Sequence, residues 1–119
     1  MAWVSMTGAI EITPEQRRTL VAFLQRFIPD AGVWAYGSRV KGTGRPNSDL
    51  DLVAFTTPAQ RSVVSELKDA LDESNIPFIV DLHVWDEVPR RFQEIILEEY
   101  VVLQEAGSSE PDRGGPRNT

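Results

Sequence analysis

Val33 to Phe55 reads VWAYGSRVKGTGRPNSDLDLVAF, and this stretch decides the fold. Val33-Trp34-Ala35-Tyr36 is a short apolar run of buried-strand type. Gly37, Gly42, Gly44, Pro46 and Asn47 punctuate residues 37–48 and make them a loop, with room for one helical turn after Ser38. Asp49 to Phe55 (DLDLVAF) is the next strand and alternates strictly at its start. Two strands therefore flank a glycine-rich loop, and everything outside them must supply cover.

Upstream, Thr13-Pro14-Glu15-Gln16 opens a helix. Thr13 suits the N-cap, Pro14 the first helical position, and Gln16 completes a capping box. Leu20, Phe23, Leu24, Phe27 and Ile28 then make one apolar stripe, and Pro29 and Gly32 end the helix. Downstream, Thr57-Pro58-Ala59-Gln60 repeats the cap. Its helix buries Val63, Val64, Leu67, Ala70 and Leu71, with Asn75 as its C-terminal cap. Pro77 begins a third strand, Phe78 to Trp85. Phe78, Val80, Leu82 and Val84 face one way, and Ile79, Asp81, His83 and Trp85 the other. A helix from Val88 to Glu98 carries Phe92, Ile95 and Ile96, and Tyr100 to Leu103 is a last short strand. The order α-β-loop-β-α-β-α-β predicts an α/β (α+β) domain: a small mixed sheet with helices packed on one face. All three long helices are expected to cover the core side, since each has one strong apolar stripe. The domain spans residues 13–105, between a flexible N-terminus (1–12) and a disordered polar tail (106–119).

Composition narrows the chemistry. The 119 residues suffice for one domain, and 41% hydrophobic with 25% charged residues is ordinary for a globular one. No run approaches the ~20 apolar residues of a membrane span, and no signal-peptide pattern opens the chain, so a cytoplasmic location is expected. There is no cysteine and one histidine, His83, so any metal must be held mainly by oxygen, which favours Mg²⁺, Mn²⁺ or Ca²⁺. A formal charge of −6 argues against binding long nucleic acid. Yet Arg39, Lys41 and Arg45 fall close together, which suits a small anionic ligand.

The chemistry concentrates on three carboxylates. Asp49 and Asp51 share one strand face, roughly 7 Å apart at Cα. Asp81 lies on the non-core side of the third strand, so all three can converge if both strands belong to one sheet. Two charges at ~7 Å and an effective dielectric near 20 repel by roughly 2 kcal/mol, which a divalent cation would relieve. Mg²⁺ pairs one or two carboxylates with substrate phosphates, and two such ions can hold both oxygens of a nucleotidyl transfer. Gly37-Ser38, directly after a strand, offers close backbone approach and a hydroxyl to the phosphates. Taken singly, each feature also has a plain structural explanation. A D-x-D arises by chance in a chain with eight Asp, Gly-Ser is a turn, Asp81 could be an edge-strand charge, and His83 an ordinary strand residue.

Together they are specific. Gly37-Ser38, ten intervening residues and Asp49-Leu50-Asp51 resemble the GS-x10-DxD signature of the DNA polymerase beta-like nucleotidyltransferase superfamily. Asp81, in IVDLHVW, resembles its third carboxylate. The short length resembles the minimal nucleotidyltransferase (MNT) branch, many of whose members are antitoxins of HEPN–MNT toxin–antitoxin pairs. The resemblance implies that Gly37 and Ser38 cradle the nucleotide phosphates. It further implies that Asp49 and Asp51 ligate Mg²⁺, and that Asp81 completes the site and orients or deprotonates the acceptor hydroxyl. Arg39 and Lys41 are triphosphate contacts by position and charge alone. The implied reaction moves AMP from ATP to a tyrosine of a helical HEPN toxin. Two alternatives stand: a small-molecule, aminoglycoside-type nucleotidyltransferase, and a non-catalytic toxin-binding module. Length speaks against the first, because three helices committed to the core leave little to wall a pocket. The carboxylate triad speaks against the second.

Overall fold

The computed structural model describes residues 10–42 and 48–107. The expectations for residues 1–9, for 43–47 and for the tail from 108 onward lie outside the described residues. Among the described residues four helices and four strands alternate: α1 (Pro14–Phe27), β1 (Val33–Tyr36), the short α2 (Ser38–Lys41), β2 (Leu50–Ala54), α3 (Arg61–Asp72), β3 (Val80–Val84), α4 (Arg90–Glu98) and β4 (Val101–Gln104). Single 3-10 turns, Pro58–Gln60 and Trp85–Glu87, lead into α3 and out of β3.

The sheet order is β3-β2-β1-β4. β1 runs antiparallel to β2 and β4, while β2 and β3 are parallel, joined by α3 as a crossover helix. The sheet is thus mixed, as the element order predicts. One face carries Val33 and Ala35 of β1, Leu50, Leu52 and Ala54 of β2, and Val80 and Leu82 of β3, all buried in a single cluster. Over it lie Leu20, Leu24 and Ile28 from the α1 segment and Val64, Leu67 and Leu71 of α3. Fully burying each such side chain contributes about 1.5–3 kcal/mol, so this layer holds the domain together.

The caps form as the sequence predicts. Gln16 N–H donates to Thr13 Oγ1 at 3.0 Å, and Gln16 Oε1 accepts from the Thr13 N–H at 2.9 Å. Gln60 Oε1 likewise accepts from the Thr57 N–H at 2.9 Å, opening the 3-10 turn ahead of α3. At the other end of α3 the cap is Glu73, whose N–H donates to Asp69 O, and Ser74 Oγ donates to Leu71 O at 2.7 Å. Asn75 stands beyond that turn, because the nearer hydroxyl already satisfies the last carbonyls.

Two findings differ from expectation. The packed unit reaches back beyond Thr13: Ile10 is buried in the core, and the Glu11 N–H donates to Arg39 O at 2.8 Å. The second concerns α4. The core face is already filled by α1 and α3, and the turn at Trp85–Glu87 redirects the chain. Ile96 is buried outside the main cluster, and Phe92 and Ile95 remain half exposed. Periodicity identifies the apolar side of a helix and leaves open which side of a sheet it meets.

On that second face Trp34 is stacked on Tyr100, with ring centroids 3.9 Å apart, and meets Phe55 and Trp85 edge-on. Val53, paired with Trp34 and His83 in register, is fully buried on this face. The aromatic cluster closes one end of the face and leaves the other to the carboxylates.

Candidate active site

Strand register assembles a row across three strands. Tyr36 pairs with Asp51, and Asp51 with Asp81. All three point away from the core face occupied by Leu50, Leu52 and Leu82, because side chains alternate along a strand. Asp49, two residues before Asp51, precedes β2 and is exposed. Neighbouring strands lie about 4.8 Å apart, so Asp51 and Asp81 are close like charges.

Their electrostatics follow. Burial, then the charges of Asp81 and Asp49, raises the Asp51 carboxyl above the ordinary carboxylate value, while His83 pulls it down. The same burial and the charges of Asp51 and Asp81 push the Tyr36 hydroxyl up to about 12. Tyr36 is therefore protonated at neutral pH and faces this site as a donor. His83 Nε2 lies 3.2 Å from Asp81 Oδ2, two residues along the same strand face.

Gly37 turns the chain out of β1 with φ +88, a conformation L side chains rarely adopt. A Cβ at this position would collide with the Asp51 carboxylate. Its carbonyl accepts from the N–H groups of Val40 and Lys41, each at 3.0 Å, which winds Ser38 into α2. The turn and the carboxylate row thus touch.

Residues 17–103 match the family model of the nucleotidyltransferase domain. The chain belongs to the nucleotidyltransferase domain family. It is 41% identical over 97 residues to a Haemophilus influenzae protein named "Probable protein adenylyltransferase MntA", covering 81% of this chain and 85% of that one. Two solved structures share the fold. One is a chain of a toxin–antitoxin crystallised with AMP-PNP, with TM-score 0.55 and 20% identity over 80% of this chain and 77% of that one. The other belongs to the MntA–HepT toxin–antitoxin, with TM-score 0.51 and 16% identity over 83% and 78%.

Within this nucleotidyltransferase domain the donor set suits a hard divalent cation. Three carboxylates stand on or beside one strand row, and the missing Cβ at Gly37 leaves room for the Asp51 carboxylate. As the side chains stand, no three His, Asp or Glu of the described residues close into a ready cage, for Asp81 is within reach of His83.

Arg39 corrects the sequence reading. It is 5% exposed and turned away from the carboxylates. Its Nε donates to Ser48 O at 2.9 Å and its NH1 to Glu11 O at 2.6 Å, with the guanidinium 4.0 Å above the Phe78 ring centroid. It ties α2 to the segment before α1, the end of the loop and the approach to β3, a structural clamp where a phosphate ligand was expected. A basic residue in a glycine-rich loop gives the same sequence signal in both roles. Arg39→Ala is expected to lower the unfolding free energy by about 2–4 kcal/mol in urea denaturation, with no rescue by Lys, because a buried charged fork leaves two carbonyls unpaired. A direct phosphate ligand would instead lose affinity for nucleotide with stability unchanged. Lys41, at the end of α2, is exposed.

Two features escaped the sequence reading. Tyr36 joins the row, and the alternation of VWAY beside Gly37 could have revealed it. α4 also contributes: with Phe92, Ile95 and Ile96 it walls a groove of about 480 Å³ whose floor includes Tyr36, Asp51 and His83. No helix of the described residues is long and apolar enough to cross a membrane.

Proposed function

We propose that this protein transfers AMP from ATP to a hydroxyl, a tyrosine's, on a helical HEPN-type partner, and so acts as the antitoxin that silences it. The observation carrying this reading is the Tyr36–Asp51–Asp81 row set against the Gly37-Ser38 turn. Its likeness to a relative named for protein adenylyl transfer supports the acceptor class.

Asp49, Asp51 and Asp81 would hold Mg²⁺, two ions by the family resemblance, which would neutralise charge on the reacting phosphate and pyrophosphate. The Gly37 backbone and Ser38 would seat the phosphates, with Lys41 the remaining cation of that loop within the described residues. Tyr36, protonated, would donate into the site and exclude a second anion from Asp51. The acceptor oxygen would attack the α-phosphorus in line, its proton passing to a carboxylate, Asp81 by the family resemblance, as pyrophosphate leaves. Electrostatic preorganisation would be the main catalytic effect. The proposed reaction would take place in the cytoplasm, where ATP is supplied.

The groove beside Asp51 reopens the small-molecule alternative, which length alone had disfavoured. Its apolar wall of Phe92, Ile95 and Ile96, with Lys68 beside Asp51 and Glu87 in the lining, supports an aromatic acceptor over a polycationic aminoglycoside.

The test supplies α-labelled ATP and Mg²⁺ to the chain, with and without a HEPN-type partner protein. Label is expected on a tyrosine of that protein by mass spectrometry, and absent with excess EDTA. Labelled aminoglycoside with the partner unmodified would overturn the reading. Full neutralisation of the toxin by Asp51→Asn would favour the non-catalytic binding module.

A further inference from the structure

Exposed apolar side chains are concentrated in one segment. Of the six large ones exposed among the described residues, five (Phe92, Ile95, Leu97, Tyr100 and Val102) fall within residues 92–102. Phe92 and Ile95 are 53% and 50% exposed, and with buried Ile96 they form an i, i+3, i+4 stripe on one side of α4. That stripe is the wall of the groove with Asp51 and His83 in its floor. An apolar wall contiguous with a site carboxylate calls for an occupant.

Register orients the groove. Gly37 follows Tyr36 on one side of the Tyr36–Asp51–Asp81 row, and His83 lies on the other, paired with Val53. Phosphates seated at Gly37-Ser38 leave toward the first side. In-line displacement then brings the attacking hydroxyl from the second, where the groove opens. Charges of both signs surround it: Asp51, Glu87 and Lys68 line the groove, and on the α4 segment Arg90 and Arg91 are exposed as well as Glu94, Glu98 and Glu99.

We infer that the α4 groove seats the acceptor segment of the partner protein, an apolar stretch that inserts its hydroxyl-bearing aromatic side chain toward His83 and Asp51. This rests on the proposed transfer to a partner protein and specifies where that partner is held. Aromatic and aliphatic side chains fit the wall, and the net charge of −6 favours a basic partner protein over an acidic one. The rival occupant is the nucleoside, whose base could stack on Phe92.

The experiment compares Phe92→Asp and Ile95→Asp with Leu97→Asp, a control that is 52% exposed and lies outside the groove lining on the same helix. Affinity for the HEPN-type partner protein is measured without ATP, and affinity for a non-hydrolysable ATP analogue separately. The groove variants are expected to weaken the protein complex by about 10-fold or more and leave the nucleotide affinity within about 2-fold, with Leu97→Asp close to wild type in both. Unchanged partner affinity in the groove variants, or an equal loss in Leu97→Asp, overturns the inference. So does a loss of nucleotide affinity, which would assign the groove to the nucleoside. Wild-type chain that fails to bind the HEPN-type protein overturns it too. Wild-type chain that binds without labelling refutes the transfer reaction and leaves the docking result to stand on the three variants.

Discussion

Asp51→Asn is expected to abolish adenylyl transfer, by about 10³-fold or more in rate, without destabilising the metal-free protein. Asp51 is the middle member of the row, paired with Tyr36 on one side and Asp81 on the other. Its carboxyl is raised by burial and by the charges of Asp81 and Asp49. A carboxyl raised in the folded state binds more protons there than in the unfolded chain. Stability therefore falls as pH rises from the unfolded value through the raised folded value. At neutral pH the metal-free fold carries that penalty, and the amide variant does not. Melting temperatures across pH 3–8 check this. The metal-free wild type should fall relative to Asp51→Asn as pH rises through the acid range, while added Mg²⁺ should raise the wild type more. A metal-free variant melting well below wild type at pH 7 would show Asp51 to be a structural hydrogen-bonding residue instead.

Gly37→Ala is expected to damage both stability and turnover. The position has φ +88, where a Cβ costs about 1–2 kcal/mol in strain, and that Cβ would collide with the Asp51 carboxylate. The chain must either shift the turn or push Asp51 off its row. A loss of about 1–3 kcal/mol in urea denaturation is expected, with transfer reduced by about 10²-fold or more because the phosphate seat and the carboxylate move apart. Nearly full activity in Gly37→Ala would mean that the turn and Asp51 are not coupled.

Much of this protein was determined by the sequence alone. The caps at Thr13 and Thr57, the stripe of Leu20, Leu24 and Ile28, and the parity of Asp49, Asp51 and Asp81 all follow from local geometry. A strand's alternation fixes which side chains share a face, and a helix's period fixes its apolar side. The Gly37-Ser38 turn was legible as a glycine directly after a strand, while its ten-residue distance from Asp49 carried meaning only through the family resemblance.

The tertiary structure decided what depends on partners distant in the chain. Arg39 looks like a loop cation until Glu11, Ser48 and Phe78 enclose it. Tyr36 enters the site only because β1 pairs with β2 in a register that sets it beside Asp51. Ile10 joins the core from a segment with no periodic pattern of its own. The side of the sheet taken by α4 was settled by competition, since α1 and α3 had filled the core face. Local sequence fixes each element's apolar side and parity, but neither strand register nor the choice of docking face, which depend on how all the elements fill space together.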